Sequence, residues 1–133
     1  MSHVDFLASW SQKSQMPLLQ IKTNTGSFPQ SLRSEIQSKA AAILSEEIGK
    51  SLDFVMVIIE TGKDIYFAGS AEPACYMEIK NVGTLPADTT EKISQRLCDL
   101  AEDKLLINPD RCFLEYQESP RHLWGWNAKT FAS

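Results

Sequence analysis

Laid on itself with a shift of 57 residues, the chain meets its own punctuation: Asn24 falls on Asn81, Gly26-Ser27-Phe28-Pro29 on Gly83-Thr84-Leu85-Pro86, and Asp53 on Asp110. The apolar stripes coincide too. Ile36, Ala40, Ile43, Leu44 and Ile48 fall on Ile93, Leu97, Leu100, Ala101 and Leu105, and this spacing puts each set on one face of a helix. A chain written twice from one half-unit has to build the same supersecondary element twice. Each half reads strand, helix, strand.

Ser27 and Gln30 stand at capping-box spacing with Pro29 near the first turn, and Gly49 can take the left-handed cap that stops the first helix. The second helix is expected to begin near Asp88, with Glu91 three residues on, and must end before Pro109. Strands are predicted at roughly 17–24, 52–60, 74–82 and 111–117, with a short fifth piece at Ile65-Tyr66-Phe67. Right-handed crossovers in both halves put two antiparallel helices on one face of a four-stranded mixed sheet. The expected class is α/β, a two-layer sandwich of duplicated β-α-β units. The run Phe54-Val55-Met56-Val57-Ile58-Ile59 is apolar throughout and does not alternate as a half-solvated strand would, so the second sheet face needs cover. No segment remains for a third layer, and a closed symmetric homo-oligomer supplies the cover. The alternative is a central strand with a partly exposed outer side.

At 133 residues and 43% hydrophobic content, the sequence suits one domain, residues 16–133, behind an extension of residues 1–15. That extension is expected to be disordered or absent from the mature protein; otherwise Phe6, Leu7 and Trp10 dock as a lid. It carries Asp5 and lacks the basic start and long apolar stretch of a secretory signal, so a cytoplasmic protein is expected. No apolar run is long enough to cross a membrane. Net charge is -4 with no Lys/Arg cluster, which argues against a nucleic-acid partner. Cys75, Cys98 and Cys112 lack paired spacing, and His3 and His122 lie far apart, so neither a disulfide framework nor a metal site is expected. Cys98 on a helix stripe and Cys112 in a strand read as reduced core thiols.

Met16-Pro17 opens the first strand. A proline exposed by removal of that methionine carries a free secondary amine able to take a proton from a carbon acid. The same residue within a peptide has an amide nitrogen of no useful basicity.

Met16-Pro17, Phe67-Ala68-Gly69-Ser70-Ala71-Glu72-Pro73, Gly125-Trp126-Asn127 with Thr130-Phe131, Ile107-Asn108-Pro109-Asp110-Arg111 and Gly49-Lys50 occur in an order that resembles the macrophage migration inhibitory factor and D-dopachrome tautomerase family, over residues 16–132. The resemblance implies a homotrimer with an active site at each subunit interface. It also implies a cofactor-independent isomerase that interconverts keto and enol forms of phenylpyruvate-like α-keto acids, with the amino-terminal proline, here Pro17, as general base. Lys50 matches the residue that holds the substrate carboxylate, and the backbone N–H of Val82 matches a second substrate contact. Leu18 and Trp124, with Trp126 and Phe131, would form the apolar wall, and Arg121 would add a second cation.

Three positions depart from the family pattern. Phe113 replaces a common tyrosine, Glu115 replaces an asparagine that reaches the neighbouring subunit's site, and Trp124 replaces a small aliphatic residue. A carboxylate at 115 repels an anionic substrate unless it is protonated or turned away. Ala74 and Met77 stand where the animal cytokine members carry a Cys-x-x-Cys pair, so the dithiol chemistry of that motif is not expected. Some animal relatives are secreted signalling proteins, which leaves non-classical secretion and receptor binding open by analogy. A non-catalytic binding or signalling protein with Pro17 acylated stays open as a second function, and decarboxylation or hydrolytic dehalogenation as a third.

Overall fold

A computed structural model of the chain describes residues 16–132; the expectations for the extension fall outside them. In chain order the elements are strand β1 (Leu18–Thr23), helix α1 (Gln30–Ile48), a 3-10 turn at Leu52–Phe54, β2 (Met56–Glu60), β3 (Cys75–Val82), helix α2 (Ala87–Leu105), a 3-10 turn at Pro109–Arg111, β4 (Cys112–Ser119), a 3-10 turn at Arg121–Leu123, and a small hairpin of β5 (Gly125–Trp126) and β6 (Lys129–Thr130). The sheet order is β2-β1-β3-β4. β1 runs parallel to β2 and β3 parallel to β4, and the two halves meet antiparallel along β1 and β3. The duplication read from the sequence is thus an internal twofold, with its central strands in the middle and β2 and β4 at the edges.

Helix stripes and alternate strand residues build one core between the layers. Ile36, Ala40, Ile43 and Leu44 of α1 and Ile93, Leu97, Ala101 and Leu105 of α2 are buried against Leu19, Ile21, Met77 and Ile79. The helices lie antiparallel: Arg96 pairs with Glu46 and Glu47 at the end of α1, and Lys104 with Glu35 near its start. Such partly exposed pairs are worth about 0–1 kcal/mol each, so packing and not charge holds the layers together. The three cysteines are free, and Cys75 and Cys112 face each other across β3 and β4 with sulfurs 3.2 Å apart. Burial pushes the Cys98 thiol up to about 11, and the hydrogen bond with Cys75 raises that of Cys112, so both are protonated thiols at neutral pH.

The structure corrects several local expectations. The capping box does not form: Pro29 is itself the N-cap of α1, without a side-chain cap, and Pro86 plays the same part for α2. Residues 52–54 make a 3-10 turn and not the start of a strand, with Ser51 Oγ accepting the Asp53 N–H at 3.2 Å. The fifth piece reduces to a bridge between Phe67 and Ser70. β2 is an edge strand: Val57 and Ile59 pack on the core, while Met56 (57% exposed) and Ile58 (38%) lie on the open face. The chain alone leaves that apolar strip uncovered.

Both helices end on a left-handed residue at equivalent places in the two halves, Gly49 (φ 79°) and Leu106 (φ 58°). A leucine there is strained, and its side chain, 82% exposed, recovers little by burial. Leu106→Gly is therefore expected to stabilise the fold by about 1 kcal/mol. A rise in the urea midpoint with unchanged slope is the measurement that checks it.

Candidate active site

Pro17 immediately precedes the central strand β1, and its buried ring lines a cleft of about 250 Å³. Parallel pairing brings β2 alongside, its Met56 N–H donating to the Pro17 carbonyl at 3.1 Å. The cleft is lined by Met16, Pro17, Leu18, Asp53, Phe54, Val55, Met56, Trp124, Gly125 and Trp126. Its size lies just below the about 300–1,000 Å³ typical of small-molecule sites, and its walls are mainly apolar.

The aromatic side is rigid. Trp126 meets Phe54 edge-on at 6.0 Å and stacks on the buried Phe131 at 6.5 Å. The 3-10 turn and the terminal hairpin hold these rings. Asn127 and Ala128 both take positive φ in the two-residue turn between β5 and β6, as a type I′ hairpin requires. Arg121 donates through Nε to the Phe131 carbonyl at 3.0 Å, fastening the end of the chain to the turn before Trp124.

Pro17, Leu18 and Trp124, three of the residues expected at a site, thus meet in one cleft, with Trp126 beside them. Lys50 does not line it. It follows the α1 cap, its N–H donating to the Ser45 carbonyl at 3.0 Å and its own carbonyl accepting from Ser45 Oγ, and leads into the turn that supplies Asp53 and Phe54. Its side chain is half-buried, and that burial lowers its pKa. Val82 is buried at the end of β3, outside the lining.

Phe113 and Glu115 lie on the open face of β4, two strands away from β1. Phe113, 59% exposed, packs edge-on against Phe67 at 4.8 Å. Glu115 and Glu78 are register partners, and the Tyr76 hydroxyl reaches both carboxylates, Glu78 Oε1 at 3.0 Å and Glu115 Oε2 at 3.1 Å. Desolvation and these two hydrogen bonds push the Tyr76 hydroxyl up to about 12. Glu115 is therefore tied to its own sheet and turned away from this chain's cleft. Next to Phe67, Arg111 gathers the preceding loop by donating to the carbonyls of Phe67, Ser70, Glu72 and Pro73.

Asp53, Phe54, Val55 and Met56 were not singled out as site residues by the sequence reading. The signal lay in the predicted pairing: a strand parallel to β1 must set its first residues beside Pro17. The one other notable polar group is Asn81, fully buried at the end of β3, whose side-chain oxygen and nitrogen both lack a hydrogen-bond partner. No group of His, Cys, Asp and Glu suited to a metal ion occurs among the described residues. No helix among them is long and apolar enough to cross a membrane.

The family model described as macrophage migration inhibitory factor (MIF) matches residues 16–132. The macrophage migration inhibitory factor of Meriones unguiculatus is 29% identical over 119 residues, which cover 88% of this chain and 100% of that protein. A homolog from Brugia malayi is 27% identical over 117 residues, covering 87% and 99%. Among solved structures, a macrophage migration inhibitory factor homologue from Prochlorococcus marinus superposes with a TM-score of 0.76 at 34% identity, covering 86% of this chain and 98% of its own. Leishmania major MIF2 gives 0.79 at 26% identity, covering 86% and 97%.

Proposed function

This chain belongs to the macrophage migration inhibitory factor family, within the tautomerase superfamily, and we propose that it is a cofactor-independent keto–enol tautomerase whose base is the free amine of Pro17. The observation that carries this reading is the position of Pro17. It stands at the head of a central strand in the lining of a mainly apolar cleft, and the family match begins one residue before it. An amine there is shielded from water. Burial disfavours the protonated form of such an amine, which favours its use as a general base.

In the keto-to-enol direction the Pro17 nitrogen takes a proton from the carbon beside the substrate carbonyl. The electron pair moves onto the carbonyl oxygen, which is then protonated; the reverse order gives ketonisation. In this reading Lys50 anchors the substrate carboxylate and the Val82 N–H gives a further contact. Leu18, Trp124, Trp126 and Phe131 hold the apolar end of an α-keto or enol acid. Three copies assemble through the uncovered sheet face and its edges, bringing Phe113 and Glu115 to a neighbour's cleft. The working domain is residues 17–133.

The test uses protein that starts at Pro17. It is expected to run as a trimer in size-exclusion chromatography with light scattering, and to ketonise phenylpyruvate enol in an ultraviolet assay well above the buffer rate. A trimer no faster than buffer across several enolisable acids overturns the tautomerase reading. A stable trimer whose intact mass from its own cell shows Pro17 acylated favours the binding-protein alternative.

A further inference from the structure

Asn24 and Asn81 hold equivalent places in the two halves, yet only one is satisfied. Asn24 Oδ1 accepts the Ala74 N–H at 2.8 Å, and its Nδ2 donates to the carbonyls of Ala71 (3.1 Å) and Glu72 (2.9 Å). Asn81 is fully buried with neither atom paired, the only such side chain among the described residues. Burying an unpaired carboxamide costs stability, and a β-strand offers many apolar residues that would avoid it.

The register of β1 and β3 accounts for the difference. Their ladder runs from Leu18 against Lys80 to Thr23 against Cys75. One step beyond one end sets Asn24 against Ala74; one step beyond the other sets Pro17 against Asn81. The internal twofold exchanges these pairs, as the 57-residue shift does, carrying Asn24 to Asn81 and Pro17 to Ala74. An N–H on residue 17 would therefore do for Asn81 what the Ala74 N–H does for Asn24. A proline within a peptide has none. A proline at the chain start has one N–H as the neutral amine and two when protonated.

We propose that Asn81 is the positioning residue for the Pro17 amine: its Oδ1 accepts an N–H of the freed amine and so fixes the direction of the lone pair that faces the cleft. This rests on the reading of Pro17 as a free base. The proton passes from carbon to the Pro17 nitrogen and the electron pair to the carbonyl oxygen. A carboxamide acceptor stabilises the protonated amine more than the neutral one, so Asn81 raises the pKa of Pro17. Other charged groups around it are Asp53 in the cleft lining, Lys50 ahead of the 3-10 turn, Lys80 on the other face of β3, and Glu118, the register partner of Asn81 on β4, whose carboxylate accepts the Leu85 N–H; the substitutions below leave all four unchanged.

The experiment compares Asn81→Leu, Asn81→Ala and Asn81→Asp with the parent, all starting at Pro17; the curated relatives match this part of the chain over essentially their whole length. Pro17 is labelled with nitrogen-15 and titrated by NMR, a readout independent of turnover. Asn81→Leu and Asn81→Ala are expected to lower the Pro17 pKa by about half a unit or more, and Asn81→Asp to raise it. The first two are also expected to lower kcat/KM for phenylpyruvate enol by at least about tenfold, mainly through kcat. In the full chain, where Pro17 is acylated, Asn81→Leu should raise Tm. If the Leu and Ala variants fold and leave the Pro17 titration where it was, the pairing is wrong and Asn81 is an orphan held for other reasons. If the parent turns over no enol, the tautomerase reading fails, while the titration still decides the pairing.

Discussion

Leaving any residue attached ahead of Pro17 is expected to lower kcat/KM for phenylpyruvate ketonisation by about 10²–10⁴, the range a positioned general base supplies. Acylation commits the ring nitrogen's lone pair to the amide, and the cleft holds no other obvious base. Its one carboxylate, Asp53, sits on an exposed turn. Parallel ultraviolet assays of the full chain and the Pro17-start protein, each confirmed by intact mass, give the number. Equal rates would assign the chemistry to another group. Pro17→Gly in the shorter protein should also lose activity, since a primary amine on a freely rotating residue lacks the ring that sets the nitrogen's direction.

Leu97→Ala is expected to destabilise the fold by about 2–5 kcal/mol. Leu97 is wholly buried on α2, and its equivalent in the other half is Ala40, also wholly buried. The two halves thus place a large and a small residue at equivalent points of a shared core. Shrinking the large one leaves alanine on both sides, and the cavity cannot be refilled by a neighbour from the same stripe. A drop in the urea midpoint at fixed protein concentration, with the slope unchanged, measures the effect. A loss under about 1 kcal/mol would mean that the layers close over the gap.

The four-stranded mixed sheet, the helix stripes and the antiparallel helix pair were legible because a repeat removes ambiguity: each weak local signal appears twice at one spacing. Gly49 ended α1 as expected, since φ 79° favours glycine. The capping box failed because Pro29 itself took the N-cap place, leaving Ser27 outside the helix. The apolar run at 54–59 marked a strand apolar on both faces, with Val57 and Ile59 on the core and Met56 and Ile58 on the open face, and its edge position rules out the central-strand alternative. An edge strand awaiting a partner and a central strand have the same composition. Leu106 in a left-handed cap and Asn127-Ala128 in a type I′ turn were invisible for a similar reason: neither leucine nor alanine announces positive φ.

Pro17, Leu18 and Trp124, grouped from sequence, line one cleft: Pro17 and Leu18 follow from Met16-Pro17 at a strand start, and Trp124 from its place just before Gly125-Trp126-Asn127. Lys50, Val82, Phe113 and Glu115 lie outside the lining of the cleft, and for Phe113 and Glu115 the proposed function calls on a neighbouring copy. Asn81 was seen only as a mark of the repeat. Its lack of a partner is a property of three-dimensional packing that no spacing reveals.

A polypeptide made by doubling has two symmetry-equivalent berths at the ends of its central strands, but only one beginning to put in them. At the berth of Asn24 the chain simply passes through and a loop is moored. Reactivity of this kind is therefore confined to one centre per chain, however closely the halves resemble each other, and any gain in site number has to come from counting subunits.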